Sequence, residues 1–333
     1  MRATITGLGH YVPEKRLTNN DLEKLVDTND EWIFSRTGIK ERRILQDGKG
    51  TSYMAIKAAK NALASARALP EDVDIIIMGT ISPDMPVPGS AVIVQNALGA
   101  VNAWGYDVNG GCSGFLCSLV TGIQFIESGR YKKVLVVGAD KMSTITDYTD
   151  RSTCILLGDA AGAVVLEPSA SDDEGIIDFI MKADGSGAHH LRIEAGGSIL
   201  PASEETVKNK QHFFRQEGQA VFKRAVREIA DVAEEIVVKN GLKKEDIDLL
   251  VPHQANLRII DAAARRLNLP IEKVVINIDR YGNSSAGTIP TALSEAYQEG
   301  RIKKGDYLLF AAFGAGYMWG SILLKWTMDK PKK

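Results

Sequence analysis

The sequence has 333 residues, of which 44% are hydrophobic and 25% are charged, and its 40 basic and 42 acidic side chains give a net charge of −2. These values are typical of a globular protein with a substantial core, and they argue against wholesale binding to nucleic acid or to a membrane surface. The three cysteines, Cys112, Cys117 and Cys154, have no CxxC spacing. We therefore expect neither a disulfide framework nor a cysteine metal site, and we expect a reducing cytoplasm.

Short β-branched runs alternate with longer segments of helical period along the chain, a pattern typical of an α/β fold. The predicted helices are residues 53–68, 115–128, 220–240 and 257–267. The predicted strands are residues 73–79, 104–108, 134–138, 161–166, 247–251, 274–277, 307–312 and 320–326. The apolar runs have strand length, too short to cross a bilayer, and the N-terminus has no pattern of a secretory signal.

Several patterns recur at one nearly constant offset along the chain. The matching pairs are residues 69–76 with 243–250, 133–136 with 306–309, and 110–114 with 283–287. Any two βα units share some pattern, but three matches at one offset favour duplication. We therefore predict two similar halves, residues 1–170 and 171–333, related by a pseudo-twofold axis. The polar segment 168–215 is interpreted as a link with surface loops, and the basic tail 330–333 as solvated.

The most informative residue is Cys112, which follows two glycines that permit a sharp turn after the predicted strand 104–108. The next helix is apolar nearly all round, so its N-terminus is expected to be buried. Free backbone amides and the helix dipole there favour a thiolate, so we expect a lowered thiol pKa and a site able to bind an oxyanion. A buried cysteine without a chemical role is the alternative, and it is the preferred interpretation for Cys117 and Cys154.

Two polar residues of the second half are candidate partners of this thiol. His253 follows the apolar run 249–252, at the carboxyl end where α/β sheets carry chemistry, although a core histidine is the alternative. Asn283 lies in the segment 280–287, where an asparagine is usually a turn residue or a helix cap. The duplication, however, brings Asn283 close to the counterpart of Cys112. We therefore expect the thiol, the imidazole and the amide to converge.

At this point a family resemblance becomes specific. Residues 109–115, 251–258, 281–287 and 312–320 resemble the motifs of β-ketoacyl-acyl-carrier-protein synthase III, the family of condensing enzymes that start bacterial fatty-acid synthesis. The similarity covers essentially the whole chain and implies the duplicated, five-layer αβαβα fold of the thiolase superfamily. It also implies a homodimer.

The resemblance implies an acyltransferase in which Cys112 accepts an acyl group from acyl-coenzyme A (acyl-CoA). Malonyl-acyl-carrier-protein then loses carbon dioxide, while His253 and Asn283 hydrogen-bond the oxygen that gains negative charge. The backbone amides of Cys112 and Ala315 are implied as the oxyanion hole for acyl transfer, although tight packing is the alternative for the turn 313–316. Acyl-CoA is a substrate, and neither a metal nor another cofactor is implied.

The resemblance also assigns binding residues, with Trp32 and Arg151 expected to sandwich the adenine of CoA. The other implied CoA-binding residues are Thr28, Arg36, Gly218, Phe222 and Asn256. The implied carrier-protein-binding residues are Lys223, Gln254, Arg258, Arg265 and Arg266. The three arginines share one helix face, for which a solvated surface is the alternative.

Phe313 and Val87 are assigned to the acyl pocket, and Val87 is implied to reach across the dimer interface into the pocket of the partner. Because valine is smaller than phenylalanine, we expect primers longer or more branched than acetyl to be accepted.

Other functions remain open from the sequence. A protein of the same fold could transfer the acyl group to a different acceptor in secondary metabolism, although the basic helix face disfavours this. A Cys-His-Asn set could also serve a thioesterase or a cysteine protease, but neither explains the repeat or the nucleotide-binding residues. The third alternative, a non-catalytic carrier-binding scaffold, is disfavoured by the intact set of three residues.

Overall fold

The computed structural model describes residues 1–329, so the basic tail expected at 330–333 lies outside the described residues. The strands are β1 (Ala3–Tyr11), β2 (Arg16–Thr18), β3 (Glu41–Arg43), β4 (Ile75–Gly79), β5 (Trp104–Val108), β6 (Val134–Lys141), β7 (Asp159–Pro168), β8 (Gly175–Ala183), β9 (Leu191–Arg192), β10 (Arg215–Gln216), β11 (Leu249–Pro252), β12 (Tyr307–Gly314) and β13 (Met318–Lys325). The α-helices are α1 (Asn19–Leu22), α2 (Asp30–Thr37), α3 (Thr51–Ala66), α4 (Ser90–Leu98), α5 (Gly114–Glu127), α6 (Glu204–Lys208), α7 (Gly218–Lys239), α8 (Leu257–Arg266), α9 (Ile278–Tyr281) and α10 (Thr288–Gln298). Within residues 1–329, no helix is both long and apolar enough to span a bilayer.

Two main sheets repeat one topology. The first has the order β1-β7-β6-β4-β5, with β4 parallel to β5 and β6 and the other pairs antiparallel. The second has the order β8-β13-β12-β11, with β11 parallel to β12 and the other pairs antiparallel. All strands of the first sheet lie before residue 169 in the chain, and all strands of the second sheet lie after residue 174, which is consistent with the predicted boundary at 170. That boundary stays a prediction.

Helices α5 and α10 form a central layer between the two sheets. Their side chains, such as Phe115 and Leu293, share one core with Ile77 of the first sheet and Phe310 of the second. Helices α3 and α4 cover the outer face of the first sheet, and α7 and α8 cover that of the second. Because sheets lie on both sides of α5, the apolar side chains nearly all round this helix pack against them. The predicted five-layer αβαβα fold is confirmed.

Two element predictions need correction. The segment 168–215 is more than a link with loops, because β8 pairs along its length with β13 at the edge of the second sheet. Its short apolar run, 176–181, is interrupted by Asp178 and flanked by polar residues, which hides it in the sequence.

The strand predicted at 274–277 is reduced to a single parallel bridge between Val274 and Leu250. The chain then turns into α9, and Asn277 donates a hydrogen bond of 2.8 Å to Glu295.

Candidate active site

Three segments that follow different elements meet at one cavity of about 130 Å³, which Cys112, His253 and Asn283 all line. Cys112 comes after β5, His253 comes directly after β11, and Asn283 comes after α9. The structure thus brings the predicted thiol, imidazole and amide together. Much of the remaining lining is apolar, and sequence reasoning missed these residues: Leu156, Leu191, Phe214, Val221, Ala225, Ile229 and Ile259.

Two backbone turns pack against each other beside the thiol. Gly111 has a φ of +55°, and a Cβ there would lie 3.0 Å from the amide nitrogen of Ala315. A Cβ on Gly314 would lie 2.8 Å from the amide nitrogen of Cys112. The glycines therefore allow the two predicted oxyanion-hole amides, those of Cys112 and Ala315, to lie close together. Ala315 itself is not in the left-handed region, so its Cβ causes no backbone strain there.

The predicted pKa of the nucleophile is wrong in direction. Cys112 lies in a short 3-10 turn, Gly111–Ser113, directly before α5. Burial raises the pKa of its thiol to about 11, although the nearby polar side chains of Ser285 and Asn283 act in the opposite direction. The apolar surroundings disfavour an isolated thiolate more than the nearby dipoles stabilise it. The resting thiol therefore keeps its proton at neutral pH.

His253 is held as a neutral imidazole. It is 1% exposed, and its backbone amide donates to the carbonyl of Ala311 at 2.8 Å. Its Nδ1 lies 2.7 Å from Oγ1 of Thr288, a hydroxyl that is 3.0 Å from the carbonyl oxygen of Ser285. Burial lowers the pKa of His253 to about 3. Its Nε2 has no hydrogen-bond partner among residues 1–329, which leaves this atom available to a substrate.

The amide of Asn283 is oriented by its own turn. Its Oδ1 accepts a hydrogen bond of 2.8 Å from the backbone amide of Ser285. This contact shows which side of the amide group is the oxygen, so the Nδ2 protons are left to donate to the thiol and to a ligand. The backbone amide of Asn283 donates to the carbonyl of Leu156 at 2.8 Å, which fixes the turn against the first half. Asn283 is thus also a turn residue, but its two roles use different atoms.

The residues predicted to bind adenine form a cluster around the Trp32 ring. The guanidinium of Arg151 lies 5.2 Å from the centroid of the Trp32 ring, and that of Arg36 lies 4.6 Å from it. Arg151 also donates to the backbone carbonyl of Asp27 at 2.8 Å. An adenine entering between Trp32 and Arg151 must displace this guanidinium. Asn256 joins the cluster to the cavity because it lines the cavity and its Nδ2 donates to the carbonyl of Arg36 at 3.0 Å.

The other predicted CoA-binding residues divide into two groups. Gly218 and Phe222, at the start of α7, line the cavity together with Asn256. Asn256 is also the N-cap of α8, where its Oδ1 accepts from the amide of Arg258 at 2.9 Å. Thr28 does not line the cavity; it follows Asp27 in the chain, the residue whose carbonyl accepts a hydrogen bond from Arg151.

One predicted carrier-protein contact is wrong. Gln254 is 1% exposed, and its Nε2 donates to the carbonyls of Pro252 and Val275 at 2.8 and 3.0 Å. Its Oε1 accepts from the amide of Asn277 at 3.1 Å. A docked protein cannot reach this buried side chain, which instead braces the loop that carries His253.

The other four residues predicted to bind the carrier protein are basic, and they differ in whether a carboxylate neutralises their charge. Lys223, Arg258 and Arg265 are exposed and form no salt bridge within residues 1–329. The guanidinium of Arg258 packs over the Phe222 ring, 5.1 Å from its centroid, at the cavity wall. Arg266 pairs with the carboxylates of Asp231 and Glu234. Its charge is therefore partly neutralised.

The two predicted acyl-pocket residues lie apart. Phe313 is buried and lines the cavity beside Cys112. Val87 is 83% exposed and does not line the cavity of its own chain. Met85 in the same loop is 45% exposed.

Three polar residues near the thiol were also missed. Asp140 is the polar end of the buried strand β6, at the carboxyl edge where ligands bind, and this position was a usable signal. Ser285 and Thr288 follow Asn283 closely in the chain, in a run rich in small hydroxyl residues. Only the fold shows that these hydroxyls face the thiol and the imidazole.

Comparisons with known proteins agree with this geometry. The model of the 3-oxoacyl-[acyl-carrier-protein] synthase III family matches residues 106–185, and the model of its C-terminal part matches residues 237–326. A β-ketoacyl-[acyl-carrier-protein] synthase III of Koribacter versatilis is 51% identical, over 98% of this chain and 98% of its own length.

Solved structures are similar over the same extent. That of 3-oxoacyl-[acyl-carrier-protein] synthase III from Aquifex aeolicus has 45% identity and a TM-score of 0.89, covering 97% of this chain and 100% of that one. The priming β-ketosynthase of the R1128 polyketide pathway has 32% identity and a TM-score of 0.91, covering 99% and 97%. The predicted acyltransferase class is confirmed, and the chain belongs to the β-ketoacyl-[acyl-carrier-protein] synthase III family of condensing enzymes.

Proposed function

We propose that this chain catalyses the initiating condensation of type II fatty-acid synthesis. An acyl group passes from acyl-CoA to Cys112, and decarboxylative condensation with malonyl-acyl-carrier-protein then gives β-ketoacyl-acyl-carrier-protein, carbon dioxide and CoA. The observation that carries the proposal is one apolar cavity lined by the Cys112 thiol, a neutral His253 and the Asn283 amide. The two thioesters bring all the reacting groups, so the reaction requires neither a metal nor a redox cofactor.

In the first half-reaction, the sulfur of Cys112 attacks the thioester carbonyl of acyl-CoA. The negative charge that develops on the carbonyl oxygen is stabilised by the backbone amides of Cys112 and Ala315. The mostly apolar lining then keeps water from the acyl-enzyme. This exclusion favours a condensing enzyme over a thioesterase or a protease, which must admit water.

In the second half-reaction, negative charge collects on the thioester oxygen as malonyl loses carbon dioxide. The Nδ2 of Asn283 and the Nε2 of His253 hydrogen-bond this oxygen, and each such donor can lower the barrier by about 3–4 kcal/mol in a dry site. The hydroxyl of Thr288 donates to the carbonyl of Ser285 at 3.0 Å in this structure, and it must turn to donate to Nδ1 instead for the single proton of the neutral ring to lie on Nε2. Because the pKa of His253 is about 3, the ring donates a hydrogen bond without transferring a proton that would quench the enolate.

The proposed partners follow from the surroundings of the cavity. Trp32 and Arg151 bind the adenine of CoA, while the exposed cations Lys223, Arg258 and Arg265 steer the acidic carrier protein to the cavity. A homodimer is proposed because the exposed loop of Val87 and Met85 needs an apolar surface to cover it. A nucleophilic thiol that must stay reduced supports a cytoplasmic location.

A second candidate acceptor is a carrier protein of a secondary-metabolic pathway. The likeness to a priming polyketide β-ketosynthase, at 32% identity, favours this alternative. The chemistry at Cys112, His253 and Asn283 is the same in both cases, so the two candidates differ only in the docking partner.

The proposal is tested by incubating the protein with a panel of acyl-CoA compounds and malonyl-acyl-carrier-protein, and by measuring the carrier products by mass spectrometry. We expect β-ketoacyl-acyl-carrier-protein and one carbon dioxide per turnover, and no product from Cys112→Ala. A pathway-specific carrier protein tested in parallel distinguishes the second candidate. Release of free acid from the acyl-enzyme, without a β-ketoacyl product, would contradict both.

A further inference from the structure

Arg42, in β3, is a fully buried cation that the proposed reaction does not use. It is 0% exposed, and no carboxylate forms a salt bridge with it within residues 1–329. Burial lowers the pKa of its guanidinium to about 10, so the group still carries its charge at neutral pH. A buried charge without a counter-ion is costly, so its hydrogen bonds must offset the loss of solvation.

Those hydrogen bonds join two segments that are distant in the chain. Nη1 of the guanidinium donates to the carbonyl of Leu17 at 3.1 Å and to Oδ1 of Asn19 at 3.0 Å. Nη2 donates to the carbonyl of Ile155 at 2.6 Å. Nε has no partner among the residues that the structure describes, so the terminal fork makes all of these bonds. The fork thus ties the segment 17–19 to the segment 155–158, which lies directly before β7.

The segment 155–158 in turn fixes the backbone of Asn283. The amide of Asn283 donates to the carbonyl of Leu156 at 2.8 Å, and the carbonyl of Asn283 accepts from the amide of Gly158 at 3.0 Å. Between these two contacts, Leu157 forms a parallel bridge with Asn283. The peptide groups on both sides of the Asn283 side chain are therefore held by the segment that Arg42 anchors.

The junction between this segment and the Asn283 turn has no room for a further side chain. A Cβ on Gly158 would overlap the carbonyl oxygen of Tyr281 and would lie 2.9 Å from Cβ of Arg42. A Cβ on Gly282 would lie 2.7 Å from the carbonyl oxygen of Leu156. Arg42 thus packs against the junction at its Cβ and bonds to the segment at its guanidinium, so a change of this side chain acts directly on the turn.

We propose that Arg42 is a positioning residue for Asn283. By holding the segment 155–158, it aims Nδ2 of Asn283 at the thioester oxygen of the malonyl substrate. A hydrogen bond weakens steeply as its length and angle leave their best values, so a small shift of this turn slows decarboxylation. Acyl transfer depends on the backbone amides of Cys112 and Ala315 instead, which lie outside the turn.

The test compares Arg42→Lys and Arg42→Gln with Ser321→Ala. Lysine keeps the positive charge but has one nitrogen where the two segments need a fork, and glutamine removes the buried charge together with the fork. Ser321 is a fully buried residue of β13, and its hydroxyl donates to the carbonyl of Phe310 at 2.7 Å. Ser321→Ala therefore controls for the loss of a buried hydrogen bond elsewhere in the core.

Two rates are measured at saturating substrate: acylation of Cys112 by acyl-CoA, from intact mass, and carbon dioxide release from a malonyl thioester. For both Arg42 variants we expect carbon dioxide release to fall by about 10- to 100-fold, the order expected when a reacting group is misplaced by about 1 Å. Acylation is expected to stay close to the wild-type rate, as are both rates in Ser321→Ala. A fall of both rates together in the Arg42 variants would mean a general structural role and would overturn the proposal.

A double-mutant cycle shows whether the effect passes through Asn283. In Asn283→Ala the donor is already absent, so adding Arg42→Lys is expected to leave carbon dioxide release unchanged. A full further loss in that background would overturn the positioning role, as would wild-type carbon dioxide release in Arg42→Lys alone. If Arg42→Lys does not fold, the same two criteria apply to Arg42→Gln.

The positioning role rests on the proposed function, but a crystal structure of Arg42→Lys needs no turnover. We expect the side chain of Asn283 to be displaced in that structure, while Cys112 and His253 keep their places. An unmoved Asn283 would refute the positioning role. A displaced Asn283, in a protein whose wild type decarboxylates no malonyl thioester, would refute the function and leave the structural link between Arg42 and Asn283 standing.

Discussion

At the scale of single residues, the orientation of one amide determines what Asn283 can do. Its Oδ1 is held by the backbone amide of Ser285 at 2.8 Å, and its Nδ2 is the donor that we propose for the substrate. Aspartate has nearly the same shape and keeps the contact with Ser285, but it places a second oxygen where the donor is needed.

We therefore predict that Asn283→Asp lowers carbon dioxide release from a malonyl thioester more than Asn283→Ala does. Loss of one such donor costs about 100-fold or more, and a carboxylate adds repulsion of the enolate oxygen. The measurement is the decarboxylation rate of the two variants at one pH. An aspartate variant as active as wild type would show that Asn283 does not act as a donor.

The burial of His253 has a second consequence at this scale, in the pH dependence of stability. The unfolded imidazole binds a proton below its ordinary pKa of 6.5, whereas the folded one does so only near pH 3. The contribution of His253 to the free energy of unfolding is therefore fully present above pH 6.5. It is lost as the pH falls toward 3, by about 1.4 kcal/mol per pH unit for one proton.

We predict that His253→Gln has a shallower decline of its free energy of unfolding between pH 6.5 and 4 than the wild type. Denaturant unfolding at several pH values measures this slope. His10, whose pKa is also lowered by burial, contributes equally to both proteins and cancels. Equal slopes in the two proteins would mean that His253 is protonated in the folded state.

At the scale of elements, α8 offers a matched pair of cations for testing carrier-protein docking. Arg265 is exposed without a salt bridge within residues 1–329, whereas its neighbour Arg266 is paired with Asp231 and Glu234. A charge that is already balanced on its own surface contributes less to steering.

We predict that Arg265→Glu raises the KM for malonyl-acyl-carrier-protein several-fold more than Arg266→Glu does. Neither change is expected to alter the KM for malonyl-CoA, which lacks the carrier protein. Steady-state kinetics with the two donors measure the difference. If both donors were affected alike by Arg265→Glu, the residue would act on the cavity and not on docking.

Elements also show what the sequence could and could not predict. The helices α3, α5, α7 and α8 lie within two residues of their predicted bounds, because each has a long apolar period. Strand β8 was missed because its pattern is short and depends on pairing with β13, which is distant in the chain. Gln254 was misassigned because sequence position does not reveal that its side chain points inward, toward Val275. The raised pKa of Cys112 was missed because it depends on burial by distant segments.

At the scale of the whole molecule, the duplication predicted from the repeat corresponds to two sheets of one topology around a shared helical layer. That symmetry is why Cys112 and Asn283, so far apart in sequence, could be predicted to meet. The acyl pocket could not be predicted fully, because Val87 is exposed on its own chain and its proposed place is in the partner.

We predict that Val87→Phe lowers turnover with hexanoyl-CoA but leaves turnover with acetyl-CoA near wild type, because the larger ring shortens the pocket. Mixed dimers locate the effect. A Val87→Phe subunit paired with a Cys112→Ala subunit has its only nucleophile beside a partner that keeps Val87, so hexanoyl turnover is expected to survive. A wild-type subunit paired with one carrying both changes should lose it. The opposite pattern would place Val87 in the pocket of its own chain.

The most direct measurement is the mass of the protein and of its Cys112 peptide after incubation with an acyl-CoA, before and after malonyl-acyl-carrier-protein is added. We predict that one acyl group appears on Cys112 and that it leaves on addition of the malonyl substrate, with an equal amount of β-ketoacyl-acyl-carrier-protein formed. An acyl group on another residue, or its loss as free acid, would contradict a condensing site centred on Cys112.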